Sequence, residues 1–293
     1  MNKSYEDITN KLVKKIQESG ILPWHQPYFG HSNAVSYVTG KPYSWLNQWL
    51  IICQAEGQAD GQANEYLTWH QIQQHQAHLR KGCHGYRVYF WNTFEKVEID
   101  NEGNRITKQI PYLKSYTVFS VNDCEGIQPR WQRNRTGITT ISPIKHAEEL
   151  VTQYLTREKI NLEHIRNEAY YSVSRDTINL PSLSNHRSAE DYYATLLHEC
   201  VHSSGHEKRL HRFKSNDHSS PFGSPNYSRE ELVAEMGAAF LLNHLNIDNP
   251  STFQQNAAYI QSWIRALQND VSLIAIAAGK AEKAVQFILG QAA

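Results

Sequence analysis

The stretch that most constrains this 293-residue chain is His198-Glu199-Cys200-Val201-His202, inside the segment DYYATLLHECVHSSGH. On an α-helix two histidines four residues apart project from one face, so both imidazoles can share a single tetrahedral metal ion. Glu199 follows the first histidine and can reach a water in the open coordination position, the arrangement of a zinc-dependent hydrolase. Ser188 and Asp191 have capping-box spacing at the start of the predicted helix, and Gly205 stands at its end. Tyr192, Thr195, Leu196 and Cys200 or Val201 can face a core. The competing reading is a surface helix that carries two histidines by chance.

Two imidazoles need a third protein ligand, and the best candidate lies in YSREELVAEMGAAFLL. Glu231 and Glu235 are one helical turn apart, so one can bind metal while the other holds a ligand histidine. Glu231 is the expected ligand and Glu230 the alternative. Ser228 and Glu231 also have capping-box spacing, which would give Glu231 a purely local use. The extended HExxHxxGxxH motif is absent, because Lys208 occupies the position of its third histidine. His206 and His211 are therefore expected at the surface. Tyr227, a turn before Glu231, is a candidate for polarising a scissile carbonyl or steadying an oxyanion.

The length accommodates two domains. No apolar run approaches the ~18 residues that cross a membrane, and MNKSYEDITNKLVKK does not read as a signal peptide. Cysteines at 53, 83, 124 and 200 form no close pair, so reduced thiols in a cytoplasmic setting are expected. Net charge is zero, with thirteen basic and twelve acidic residues in 1–130 and sixteen and seventeen in the remainder. Bulk charge gives no argument for nucleic-acid binding, and any such site must be a local patch.

Along the chain, residues 4–20 read as an amphipathic helix with Ser4 and Asp7 as capping box and Gly20 as stop. An aromatic, proline-rich loop around PWHQPY precedes a helix begun near Ser44, and a third helix is expected at Thr68. YRVYFW, a KVEID/RITKQI hairpin around NEGN, and YTVFSV read as strands. QPRWQRNRTGITTISP, 128–143, reads as a linker carrying Arg130, Arg133 and Arg135. Beyond it the pattern is mainly helical, with PIKHAEELVTQYL, a small hairpin in EAYYSVSRDTINLP, the two metal-site helices, and helices near 255–269 and 272–288. The expected fold is thus α+β in two domains: residues 1–127, a linker over 128–143, and a mainly helical domain over 144–293.

Five of the seven tryptophans precede residue 130. Trp24, Trp45, Trp49, Trp69 and Trp91 lie near Lys41, Arg80, Lys81 and Arg87 in sequence, a mixture suited to stacking unpaired bases beside phosphate contacts. An aromatic core is the alternative for any one of them, and the polar-flanked PWHQPY loop is the better candidate for an exposed platform. We take Trp24, Lys41, Trp45, Arg80, Lys81 and Arg87 as the candidate DNA-contacting residues.

The chain resembles the ArdC-type antirestriction proteins of conjugative plasmids. In the first half the resemblance rests on PWHQPY, GKPYSWLN, YLTWHQI, RKGCHGYRVYFW and YTVFSVNDCEGI. In the second half it rests on YYATLLHECVHSSGHEKRL, FGSPNYSREELVAEMGAAFL and NAAYIQSWIRALQND. It implies an N-terminal single-stranded-DNA-binding domain and a C-terminal zincin-like metallopeptidase domain that together protect incoming plasmid DNA from restriction. It also implies His198, His202 and Glu231 as metal ligands, with Glu199 as general base. One zinc per chain is expected, with manganese or another divalent ion able to substitute in vitro. The expected partners are single-stranded DNA and a protein substrate or restriction-system protein of unknown identity, with no membrane. Cys200, Ser203 and Ser204 depart from the leucine, tryptophan and threonine of the family pattern, and Tyr28 stands where a second tryptophan is usual. The alternative function is a non-enzymatic DNA-covering or nuclease-blocking protein whose metal is structural.

Overall fold

The structure, a computed structural model, describes residues 3–20, 22, 34–54, 64–99, 105–131, 143–186, 188–213, 225–247 and 257–291. The chain divides into two compact units, Met1–Leu12 with Ser32–Arg133, and Val13–His31 with Asn134–Ala293.

Helix α1 spans Lys3–Ser19 and stops at Gly20, whose φ of +65° is the left-handed value glycine accepts without strain. The helix is already under way at Lys3, one residue ahead of the expected start at Ser4. The Asp7 carboxylate accepts from Lys11 Nζ of the same helix at 3.0 Å and, in a tertiary contact, from the Tyr89 hydroxyl.

In the first unit, β1 (Val35–Ser36), α2 (Trp45–Gln54), β2 (Glu65–Thr68), α3 (Trp69–Gln74), β3 (His78–Leu79), β4 (Tyr86–Ile99), β5 (Arg105–Ser120) and β6 (Cys124–Glu125) follow in order. Thr68 and Gln71 form a complete capping box at α3. The main sheet has order β1-β2-β5-β4, and β3 and β6 make a separate pair. The four strands expected between residues 86 and 121 are two, because pairing runs unbroken from Tyr86↔Val118 to Ile99↔Arg105 and passes Pro111 opposite Thr93. The remaining strands of the sheet come from β1 and β2, too short to carry a readable alternation.

Strand β4 is an edge, and helix α2 covers it with side-chain amides. Asn47 accepts from the Tyr89 backbone N–H at 2.8 Å and donates to its carbonyl at 2.7 Å, and Gln54, seven residues on, does the same to Arg87 at 3.2 and 3.3 Å. Two helical turns thus match one strand repeat, and edge groups that would template another chain are satisfied internally. Ala34, Ile51, Tyr66, Tyr86, Val88 and Val118 pack as the adjoining core.

In the second unit, α4 spans Pro143–Glu158, followed by β7 (Asn161–Glu163), β8 (Tyr170–Ser172), β9 (Thr177–Asn179), α5 (Ala189–Ser204), α6 (Pro225–His244), α7 (Ala257–Asn269) and α8 (Leu273–Ile288). The expected hairpin is β8–β9, and β7 joins it in parallel as an unforeseen third strand, giving the order β7-β9-β8. Alanines 275, 277, 278, 281 and 284 of α8 are buried, and their small side chains let α8 lie close to α5 and α6. The two-domain α+β architecture with a largely helical C-terminal part agrees with the expectation. Among the described residues no helix is long and apolar enough to cross a membrane.

Replacing Asn47 with leucine leaves the buried N–H and C=O of Tyr89 without partners, which costs about 1–3 kcal/mol. A lower denaturant midpoint at unchanged slope is the expected result, and an unaltered midpoint would refute the edge-capping role.

Candidate metal centre

Helix α5 begins where Ser188 Oγ accepts from the Asp191 backbone N–H at 3.2 Å, which is the serine half of the anticipated capping box. Its other end is capped at Gly205, as expected. Gly205 has a φ of −79°, so handedness does not call for glycine there, and the space around it is tight. A Cβ at Gly205 would lie 3.0 Å from the Arg212 guanidinium and from the Phe213 ring. The chain turns back over the end of α5, with the Arg212 and Phe213 N–H groups donating to the Gly205 carbonyl at 2.9 and 3.2 Å.

Helix α6 begins at Pro225, a residue suited to a helix's first turn, so Ser228 lies inside the helix and is not its N-cap. Glu231 is thereby released from the capping use that the sequence left open. The two helices approach closely at Gly237, where a Cβ would come within 2.7 Å of Val201 Cγ2. Val201 is the residue between the two histidine turns, so this contact sets α6 against the histidine-bearing part of α5.

The result is a triangle of donor atoms from His198, His202 and Glu231. The two Nε2 atoms are 3.1 Å apart, and Glu231 reaches them at 3.5 Å from His198 and 3.4 Å from His202. Ligands about 2.0–2.2 Å from a tetrahedral ion stand roughly 3.3–3.5 Å from one another, so these edges suit a zinc-sized ion. The residues therefore fit a divalent metal in donor type, number and spacing. Glu199 is buried beside them at 6 % exposure.

The electrostatics point the same way. Burial disfavours a charged His202, but Glu230 and Glu231, with Glu199 behind them, outweigh it and push its pKa up to about 10. Burial would raise Glu231, yet His198 and His202 hold it far below the usual carboxylate range. Two imidazoles among carboxylates make a pocket that favours positive charge, and a divalent ion satisfies it while requiring neutral histidines.

Glu230 is a neighbour of the triangle and not a member of it. Its carboxylate lies 3.6 Å from His202 Nδ1 and is gripped by Arg212, whose Nε donates at 3.2 Å and Nη2 at 2.7 Å. The same guanidinium donates to Ser204 Oγ at 2.8 Å and to the Val201 carbonyl at 2.7 Å. Arg212 thus fastens the end of α5 to α6 and aims a carboxylate at the ring nitrogen of His202 that points away from the triangle. Glu235, expected in that orienting role, is buried, and the carboxylate facing His202 Nδ1 is Glu230.

Other expected residues fall elsewhere. His206 is buried, contrary to the surface placement, because the reversal after Gly205 folds it inward, where its Nδ1 accepts from the Lys208 N–H at 3.2 Å. His211 is exposed. Tyr227 lies in the first turn of α6, with its side chain outside the described residues. Ser203 and Ser204 are both buried and donate to the Cys200 and Val201 carbonyls at 2.8 and 2.6 Å. Cys200 is also buried, which pushes its thiol pKa up. Arg209 braces the same end, donating to the Ser203 carbonyl at 2.7 Å and pairing with Asp176 of the β8–β9 turn.

Of the candidate DNA-contacting residues, Trp24 and the PWHQPY loop lie outside the described residues. Trp45 opens α2 half-buried, whereas Lys41, Arg80, Lys81 and Arg87 are exposed. They are dispersed: Lys41 follows β1, Arg80 and Lys81 follow β3, and Arg87 lies on β4. Arg80 and Arg87 also face carboxylates, Glu125 at 3.7 Å and Asp7 at 3.6 Å. Trp49 is fully buried, and Trp69 and Trp91 are about half exposed. In the stretch read as a linker, Arg130 and Trp131 are anchored, their N–H groups donating to the buried Glu65 carboxylate at 2.9 and 2.6 Å.

Fold and site together define a chain with a zincin-like second half. Residues 146–280 match the family model of a zincin-like metallopeptidase, and residues 2–119 match the N-terminal domain of the anti-restriction factor ArdC. The metal-free crystal structure of the antirestriction ArdC protein from plasmid R388 is 30% identical, with 97% of this chain and 96% of that one covered and a TM-score of 0.69. Its Mn(II)-bound structure matches at 29% identity, 98% and 97% coverage and a TM-score of 0.73. The uncharacterized protein y4eC of Sinorhizobium fredii is 30% identical over 98% of this chain and 92% of its own length. A DNA primase TraC of Escherichia coli is 32% identical over 97% of this chain, which spans 27% of that protein. The chain belongs to the ArdC antirestriction family.

Arg212→Ala and Glu230→Gln should each lower metal affinity roughly 10–100-fold while His198, His202 and Glu231 are retained. Titration calorimetry with zinc checks this, and wild-type affinity in both variants would refute the orienting role.

Proposed function

We propose that this chain is an antirestriction protein that binds single-stranded DNA through its N-terminal unit and hydrolyses a peptide bond at the His198–His202–Glu231 site. The observation that carries the reading is the donor triangle with the buried Glu199 beside it. The match of residues 2–119 to the ArdC N-terminal domain supports the DNA-binding part. That R388 ArdC has an Mn(II)-bound structure supports a divalent ion here, zinc being the best fit to two imidazoles and a carboxylate.

His198, His202 and Glu231 would hold the ion. When bound, the ion supplies Lewis acidity, which polarises a scissile carbonyl and lowers the pKa of water. Glu199 takes the proton of the attacking water and delivers it to the amine as the C–N bond breaks. Glu231 would contribute negative charge toward the dication, and the Glu230 carboxylate, 3.6 Å from His202 Nδ1, favours the tautomer with its proton on Nδ1 and Nε2 free for the ion. Burial would raise the Glu230 pKa, but His202 and Arg212 together hold it below the usual carboxylate value, and Arg212 also keeps the carboxylate in place. The substrate is expected to be a protein encountered at the DNA, a restriction-system component being the leading class.

The deciding variant is Glu199→Gln. It retains the three ligands, so metal content should stay at wild type while peptide hydrolysis falls by about 10²-fold or more. Protection of incoming DNA that falls in parallel supports a hydrolytic role. Full protection by this variant would leave DNA covering or nuclease blocking as the function and make the metal structural.

A further inference from the structure

The described part of the β4–β5 ladder presents two faces of different character. On one, Arg87, Tyr89 and Trp91 are answered by α1: Asp7 lies 3.6 Å from Arg87 and accepts from Tyr89, and Tyr5 meets Trp91 with ring centroids 6.0 Å apart. Positive charge there is already neutralised. The other face carries Tyr86, Val88, Phe90 and Asn92, paired with Val118, Tyr116, Lys114 and Tyr112. It contains no carboxylate among these residues.

Its buried part, Tyr86, Val88 and Val118, joins the core, and its aromatic side chains then continue out of the core to the surface. Phe90 is 41 % exposed and Tyr116 is 38 % exposed. Their rings meet edge to face at 5.6 Å, Phe90 lies 6.1 Å from Tyr43, and Tyr43 in turn leans on the buried Tyr66. Each exposed ring is thus steadied by a neighbour, so little rotamer entropy remains to be lost on stacking. Lys114 sits over the Tyr116 ring at 5.2 Å, which places an exposed cation beside the aromatic row.

We propose that Phe90 and Tyr116, backed by Tyr43 and accompanied by Lys114, form the stacking platform on which unpaired bases of single-stranded DNA rest. This deepens the DNA-binding reading and depends on it. Aromatic rings displayed on a sheet face suit unpaired bases, because every base has a π-face and a sheet holds adjacent rings at fixed spacing. The charge favours a polyanion: the described residues named on this face offer an ammonium group and no acid, in a chain whose net charge is zero. Duplex DNA, with its bases stacked internally, cannot use these rings.

The test is binding of a fluorescently labelled oligothymidylate to the full chain by anisotropy over a salt series. Phe90→Leu and Tyr116→Leu keep apolar bulk and remove the π-face; each should weaken binding roughly five- to hundred-fold with an unchanged salt slope. Phe90→Tyr and Tyr116→Phe should restore it. Lys114→Ala should lower the salt slope by about one counterion. All variants should keep the wild-type Tm, since the substituted side chains are half exposed. Wild-type binding that survives both leucine variants would overturn the platform while leaving DNA binding by another surface intact. No binding by wild type would overturn the DNA-binding reading and the platform with it. Equal affinity for a duplex would overturn the stacking argument alone.

Discussion

The second unit depends on how near helix α6 can come to helix α5. Gly237 against Val201 sets that distance, and any side chain larger than hydrogen at 237 would push the helices apart where the site needs them closest. Two histidines on one helix face are only a bidentate group. The helix approach delivers Glu231 to within 3.5 Å of both and turns a sequence motif into a three-donor site. Packing and chemistry are therefore not separable here: the apolar contact that stabilises the helix pair also fixes the ligand geometry.

The end of α5 is held with comparable care. Arg209 and Arg212 both come from the short reversal after Gly205, and both donate to backbone carbonyls in the last turn of the helix. A guanidinium suits this place because its charge opposes the partial negative charge of a helix C-terminus and its forked donors can grip a carboxylate at the same time. Arg212 links the helix end to Glu230, so the orientation of His202 is coupled to a residue ten positions away in sequence. Ser203 and Ser204 supply the hydroxyls through which Tyr154 and Arg212 reach the same turn.

Much of this was legible in the sequence where local chemistry decides the outcome. The spacing of His198 and His202, the Ser188 cap, the α1 stop at Gly20 and the Thr68 start of α3 all follow from short-range rules. Glu231 was identifiable as a carboxylate on a second helix, but its face was not, because Ser228 offered an equally good local explanation until the helix began at Pro225. Arg212 and Glu230 were out of reach, since their meeting depends on a chain reversal whose direction no periodicity records. Sequence alone divides the two long strands of the hairpin into four, because nothing local distinguishes a continuing ladder from a break near Pro111. In the N-terminal unit sequence proximity of tryptophans and cations was a poor guide. Trp49 is in the core, Arg87 is paired, and the exposed row of Phe90, Lys114 and Tyr116 emerges only when two strands are placed in register.

The central claim is that His198, His202 and Glu231 bind one divalent ion together. Its most direct test is the metal content of the purified protein beside Glu231→Ala, after equilibration with limiting zinc. About one zinc per chain in the wild type and a clear loss in the variant, with both folded, is the predicted result. Equal zinc in both would contradict the three-donor site.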